Sequence, residues 1–174
     1  MAIGVELRIA LTMNGGVSLA VWIGGVAAEY GRLVARDGPY EKLLALLDYT
    51  PRIDVIAGSS AGGVNGAYLG MAMTRYAGVD LWRSLAGLRA IWIDDGAIDA
   101  LLRDPAQATA PSLLDGDGYY YEHLRQAFAA LDTARQQIAP EIAPIDLILT
   151  ATLLTGKPQR LMDDYGNPIP DETH

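Results

Sequence analysis

The chain has no cysteine among its 174 residues, and only two histidines, His123 and His174. The first absence rules out a disulfide framework, a thiolate metal site and a cysteine nucleophile. The second leaves little room for histidine-based catalysis. Positive charge is also sparse, with 13 Lys and Arg against 21 Asp and Glu, a net charge of -8 and no basic cluster. No nucleic-acid partner is expected from such a surface. The start, Met1 to Arg8, lacks a basic region followed by an apolar one, so no signal peptide is expected. The longest apolar run, Leu19 to Ala28, falls well short of the ~20 residues a membrane span needs. These absences lead to the expectation of a cytoplasmic protein without metal or cofactor. No repeat or low-complexity segment is present.

What is present suits a well-buried globular chain. Apolar residues make up 51%, mean hydropathy is +0.15, and the length suffices for one domain with a proper core.

The informative stretch runs from Ile53 to Gly66 and contains Gly58-Ser59-Ser60-Ala61-Gly62, a Gly-x-Ser-x-Gly sequence. Ile53, Val55, Ile56 and Ala57 before it read as a buried strand. Val64, Ala67, Tyr68, Met71 and Arg75 after it fall at helical spacing. A serine between strand and helix is the context of a nucleophile elbow. The sharp turn strains the serine backbone and exposes its hydroxyl, and residues two positions either side must be small. Gly58 and Gly62 meet that demand, and Ala61 and Gly63 add room. The helix N-terminus would favour an anionic oxygen beside Ser60. The plainer alternative is a glycine-rich turn in which Ser60 is an ordinary N-cap.

In chain order, Val5 to Met13 alternates as a first strand. Asn14-Gly15-Gly16-Val17-Ser18 follows, and Ser18 to Ala35 reads as a helix packed on the sheet. Tyr40 to Leu47 is a second helix, and the elbow strand begins near Ile53, parallel to the first. This is a βαβ unit with an expected right-handed crossover. It sets two glycine turns at the carboxyl ends of two strands, where ligands bind in open α/β sheets. Gly15 and Gly16 can then present bare amides toward Ser60, as an oxyanion site requires. A phosphate-binding turn and a plain structural turn are the alternatives. Neither Gly-x-Gly-x-x-Gly nor Gly-Lys-Ser/Thr is present to favour a phosphate.

Further on, Asp80 to Arg89 and Tyr119 to Asp132 read as helices, with Ile91 to Asp95 a short apolar piece and Ile98 to Arg103 a helical turn or two. Asp104 to Pro111 is a loop, Ser112 to Gly118 a turn and Ala134 to Pro144 a linker. Ile145 to Leu154 reads as a buried strand. Gly156 to Pro158 is a turn, after which Gln159 to Met162 pairs back as a hairpin strand. Asp163 to His174 reads as a frayed end or a long hairpin turn.

Strand, glycine turn, helix, strand and Gly-x-Ser-x-Gly elbow, with about forty residues between the motifs, resemble the N-terminal half of patatin-like phospholipases. The family's oxyanion turn reads Gly-Gly-Gly-x-Arg/Lys-Gly, with a further glycine in the helix. Here Asn14, Gly15 and Gly16 stand for the three glycines and Gly24 for the later one. Ser18 stands in place of the basic residue, and Leu19 in place of the last glycine. In this the chain is similar to a subgroup whose turn reads Asn/Arg-Gly-Gly-Val-Ser-Leu-Ala-Val-Trp. The resemblance covers most of the chain.

The resemblance implies a three-layer α/β/α fold with a mostly parallel central sheet. It implies a lipid acyl hydrolase acting on phospholipid or another acyl ester, with peripheral membrane contact. Its catalytic pair is a serine-aspartate dyad, so Ser60 would be the nucleophile. Gly15, Gly16 and the Ala61 amide would hold the oxyanion. The family's aspartate lies in Asp-Gly-Gly/Ala after the later strands. Asp95-Gly96-Ala97 matches the letters but comes only thirty-five residues after Ser60. Asp115 and Asp117 are equally early, and all three read as turn aspartates. The base is therefore expected beyond His174, with residues 1-174 as the N-terminal part of the domain. An early end to the sheet would leave Ile145 to Leu154 uncovered and favour self-association.

Two other readings stand beside it. A Ser-His-Asp hydrolase would need His123, which sits inside a predicted helix rather than on a late loop. A non-catalytic lipid-binding or scaffold domain of the same fold would explain Ser18.

Overall fold

The computed structural model describes residues 4–104, 106, 112–133, 144–153, 155 and 157–173. It is an α/β structure built on a parallel sheet. Strand β1 (Val5–Met13) is followed by a 3-10 turn (Val17–Leu19), then α1 (Ala20–Ala35) and α2 (Pro39–Leu47). Strand β2 (Tyr49–Ser59) leads directly into α3 (Ala61–Arg75). The helices α4 (Gly78–Ser84), α5 (Ala86–Arg89) and α6 (Ile98–Leu101) follow, with a π-helical turn at Ala90–Asp94. A second π-helical turn, Gly116–Tyr120, runs into α7 (Tyr121–Thr133). Strands β3 (Asp146–Thr150), β4 (Lys157–Met162) and β5 (Pro168–Thr173) complete the described order.

The sheet order is β1-β2-β3, parallel throughout, with β2 central. Its register slips between Ile9 and Ala10, which leaves Asp54 of β2 without a partner residue. This bulge resets the alternation of β2. Pro51, Ile53, Ile56 and Gly58 are all buried although the spacing breaks between Ile53 and Ile56. Arg8 Nε donates to the Asp54 carboxylate at 2.6 Å and holds that group below the usual carboxylate range.

One apolar cluster joins sheet and helices. Leu11 and Met13 of β1 and Ile53 and Ile56 of β2 meet Ile23 and Ala27 of α1 and Leu69, Ala72 and Met73 of α3. Small residues let these elements approach closely. A Cβ on Gly66 would stand 2.7 Å from Ile56, and one on Gly24 would stand 3.2 Å from both Asn65 and Trp92.

Asn65 is the buried polar side chain of this core. Its Oδ1 accepts from Trp92 Nε1 at 2.7 Å, and its Nδ2 donates to the Ala20 carbonyl at 3.1 Å. It thus ties α3 to the start of α1 and to the π-helical turn. Removing it orphans a donor and an acceptor together. Asn65→Ala is expected to destabilise the fold by roughly 2–3 kcal/mol, read as a lower urea midpoint.

Several boundaries differ from the sequence expectations. The elbow strand starts at Tyr49 rather than Ile53, because β1 pairs along its whole length. Pro51 is tolerated in a central strand since β3 pairs only with Val55 to Ser59. The expected buried strand near Ile145 is an edge strand, with Leu147, Ile148 and Leu149 45%, 54% and 51% exposed. Among the described residues nothing covers its outer side. Strand β4 does not pair back on β3. It pairs antiparallel with β5, so residues expected to fray form a strand of their own. Lys157 and Pro158 lie in β4 rather than in a turn. Gly156, His174 and most of the expected loop and linker at 104–111 and 134–144 lie outside the described residues.

The 3-10 turn and α1 together run 19 residues, Val17–Ala35, with mean hydropathy 1.2. By length and composition this segment could cross a membrane, which a search for uninterrupted apolar residues does not reveal. In this fold Ala20, Ile23, Gly24, Ala27 and Gly31 are buried. Ile23 and Ala27 belong to the shared core.

Candidate functional site

Ser60 sits between β2 and α3 with φ 50° and ψ -128°. Two other non-glycine residues among those described have positive φ, Arg36 and Asp48, and both are ordinary left-handed ends of helices. Ser60 is outside that left-handed region. Such a conformation costs about 1–3 kcal/mol and persists only where its surroundings enforce it. An ordinary N-cap has extended backbone and a side chain bonded to the first turn. Ser60 has neither, since its side chain makes no capping hydrogen bond. The residue is exposed.

Glycines enforce the turn. A Cβ on Gly58 would stand 2.6 Å from the Gly62 carbonyl and 2.7 Å from Gly63 Cα. A Cβ on Gly62 would run into the Met13 carbonyl and stand 2.9 Å from that of Asn14. The first turn of α3 is therefore pressed onto the end of β1, and Ser60 is carried up at the carboxyl edge of the sheet. The amides of Ala61 and its neighbours in that turn have no acceptor within the helix.

The turn after β1 abuts Ser60. A Cβ on Gly15 would collide with Ser60 Cβ and stand 3.0 Å from its hydroxyl oxygen. The Gly15 amide donates to Ser59 Oγ at 3.3 Å, a bond that ties the turn to the elbow. Ser59 is the residue that sequence reasoning passed over here. Gly16 has φ 143°, which disfavours any side chain, and it precedes the 3-10 turn. Among the described residues no acceptor takes up its amide. On the expected oxyanion role of this turn, Gly15→Ala pushes the two turns apart and lowers turnover on the order of a hundred- to a thousand-fold, the usual cost of one oxyanion donor. Steady-state hydrolysis by the full-length protein measures it.

Beside Ser60 lies an open groove of about 660 Å³. Val64 and Ala67 of α3, Leu124 and Phe128 of α7, and Leu149 of β3 make its walls apolar. Ser59, Ser60 and Thr150 place hydroxyls at one end. Its volume is that of a small-molecule site. An apolar trough ending at a free hydroxyl suits a substrate with an apolar tail and a polar reacting end.

None of the three early aspartates bonds to Ser60. Asp95 Oδ1 lies 2.8 Å from His123 Nδ1. Asp115 accepts from the Gly118 amide at 2.9 Å and pairs with Arg103 at 3.0 Å. Asp117 lies in the π-helical turn before α7. His123 is on α7, stacked on Tyr119 with ring centres 4.3 Å apart, and is not among the groove residues. The Asp95–His123 bond was invisible in sequence, because twenty-eight residues separate the partners. Among the described residues no group of three or more His, Cys, Asp and Glu is placed to hold a metal.

The chain is similar to an uncharacterized membrane protein of Mycobacterium tuberculosis. Identity is 36% over 194 aligned positions, covering 95% of this chain. The chain spans only 17% of that relative's length. No family model matches the chain. No solved structure matches it either.

Proposed function

We propose that the chain carries the nucleophile and oxyanion turns of a patatin-like lipid acyl hydrolase. The observation that supports this most is Ser60. It is an exposed serine, its side chain does not cap the helix, its backbone is strained, and it stands at a helix N-terminus beside an apolar groove. In this reading Ser60 Oγ attacks the carbonyl carbon of an acyl ester whose tail lies along Val64, Phe128 and Leu149. The hydroxyl proton passes to a carboxylate, the amides of Gly16 and Ala61, with Gly15 released from Ser59, hold the oxyanion, and the alcohol leaves. Water then releases the acid. The carboxylate is supplied by an aspartate that is not among the described residues. Peripheral membrane contact at the cytoplasmic face fits such a substrate, and the membrane description of the relative is compatible with it. The exposed β3 edge supports association with a further strand, from the same protein or a second copy.

The test is an activity-based fluorophosphonate probe on the full-length protein. Labelling at Ser60 is expected. A protein that binds lipid and does not label would instead be a non-catalytic lipid-binding or scaffold domain.

A further inference from the structure

The stretch that carries the oxyanion turn has a second property. From Ile9 to Ala28 twenty residues pass without a charged side chain, although charged residues make up 20% of the chain. About half of that stretch is exposed. Val17 is 95% exposed, Trp22 68%, Leu19 49% and Val21 48%. These four apolar side chains fall within six residues at the start of α1. Val17 is two residues from Gly15, so it lies within about 8 Å of the glycine that touches Ser60. The patch therefore begins at the carboxyl edge of the sheet, beside the turn that abuts Ser60.

We propose that Val17, Leu19, Val21 and Trp22 form a docking patch that inserts into a zwitterionic lipid bilayer and sets Ser60 against it. This rests on the acyl hydrolase reading for its purpose, but not for its test. Charge argues for the occupant. A chain of net charge -8 is repelled by an anionic surface, and a stretch that carries no charged side chain is where it can approach a bilayer with the least penalty. Trp22 adds an amphipathic ring of the kind enriched at membrane interfaces. A protein cover on this patch would close the approach to Ser60, whereas a bilayer brings the substrate to it.

The measurement is local. The 174 residues hold no cysteine, so Val17→Cys can carry one environment-sensitive fluorophore in the full-length protein once any cysteine outside them is replaced by serine. Leu46→Cys on α2 is the control, an 83% exposed position three residues from the amino end of β2. Both are mixed with phosphatidylcholine vesicles bearing a nitroxide near the headgroup end of the acyl chain. Insertion by ~5–10 Å should quench the label at 17 roughly twofold or more and leave the label at 46 unchanged. Equal quenching at both positions, none at either, or quenching that requires anionic lipid would overturn the proposal. A label at 17 that shifts blue without quenching would show the patch covered by protein, which also overturns it. In parallel, Val17→Ser/Trp22→Ser should lower hydrolysis of vesicle lipid about tenfold and leave hydrolysis of a soluble short-chain ester unchanged. Loss on neither substrate counts against docking. A wild-type protein inactive on both, with quenching intact, would sink the hydrolase reading and leave the docking patch standing.

Discussion

Ser60→Ala is expected to take ester hydrolysis by the full-length protein down to background while leaving its melting temperature unchanged or slightly raised. The reason lies in the backbone. Ser60 holds φ 50° and ψ -128° whatever its side chain, and the hydroxyl caps no amide. Alanine therefore loses a nucleophile and no stabilising bond. Losing the nucleophilic serine of a serine protease costs on the order of a million-fold in turnover. The neighbouring hydroxyl separates two outcomes. Ser59 accepts from the Gly15 amide at 3.3 Å and is part-buried, so it is held in a structural bond. Activity that survives Ser60→Ala and vanishes with Ser59→Ala would overturn the assignment.

Gly62→Ala is expected to have the largest effect on stability. Its Cβ would meet the Met13 carbonyl oxygen, with Met13 C at 2.6 Å and the Asn14 oxygen at 2.9 Å. All three are backbone atoms, and no rotamer change moves them. Gly31 is a useful contrast, because its Cβ would meet the tip of Leu85, which can turn away. Forcing α3 off the end of β1 should cost about 3 kcal/mol or more. For a chain of this size that lowers the melting temperature by roughly 6–12 °C. Gly31→Ala should cost less than half as much. Equal melting points for the two variants would mean that α3 is not pressed onto β1 as described.

The elements around Ser60 were legible because each signal was local. Alternation marked β1, helical spacing marked α1 and α3, and small residues flanked the serine where the turn demanded them. What escaped depended on partners far apart. Asn65 is one polar residue in an apolar helix, and nothing local in the sequence marks its bonds to Trp92 and to Ala20. Ser59 looked like a spacer, yet it holds the Gly15 turn. Apolar composition suggested burial for β3, but burial also needs a neighbour on both sides, and composition says nothing of that. The β5 strand was hidden by Pro168 and Pro170, which usually end strands and here sit in a two-stranded ribbon. The family resemblance rests on the two motifs, and Asp95 and Asp115 are engaged elsewhere in space.

The parallel sheet also sets an order of events during folding. Ile9 and Ile53 pair across 44 residues, and Val55 and Asp146 pair across 91. Doubling the loop to be closed adds only about 0.6 kcal/mol of entropy, but β3 recovers it with five exposed residues paired along one edge only. β1, α1, β2 and α3 share a core that needs nothing from β3. The elbow should therefore form first, and the strand that floors its groove should arrive last and leave first. Amide exchange would record this as early loss of protection at Leu147 to Leu149 while Ile53 and Ile56 stay protected. The groove would then exist only in the fully closed state.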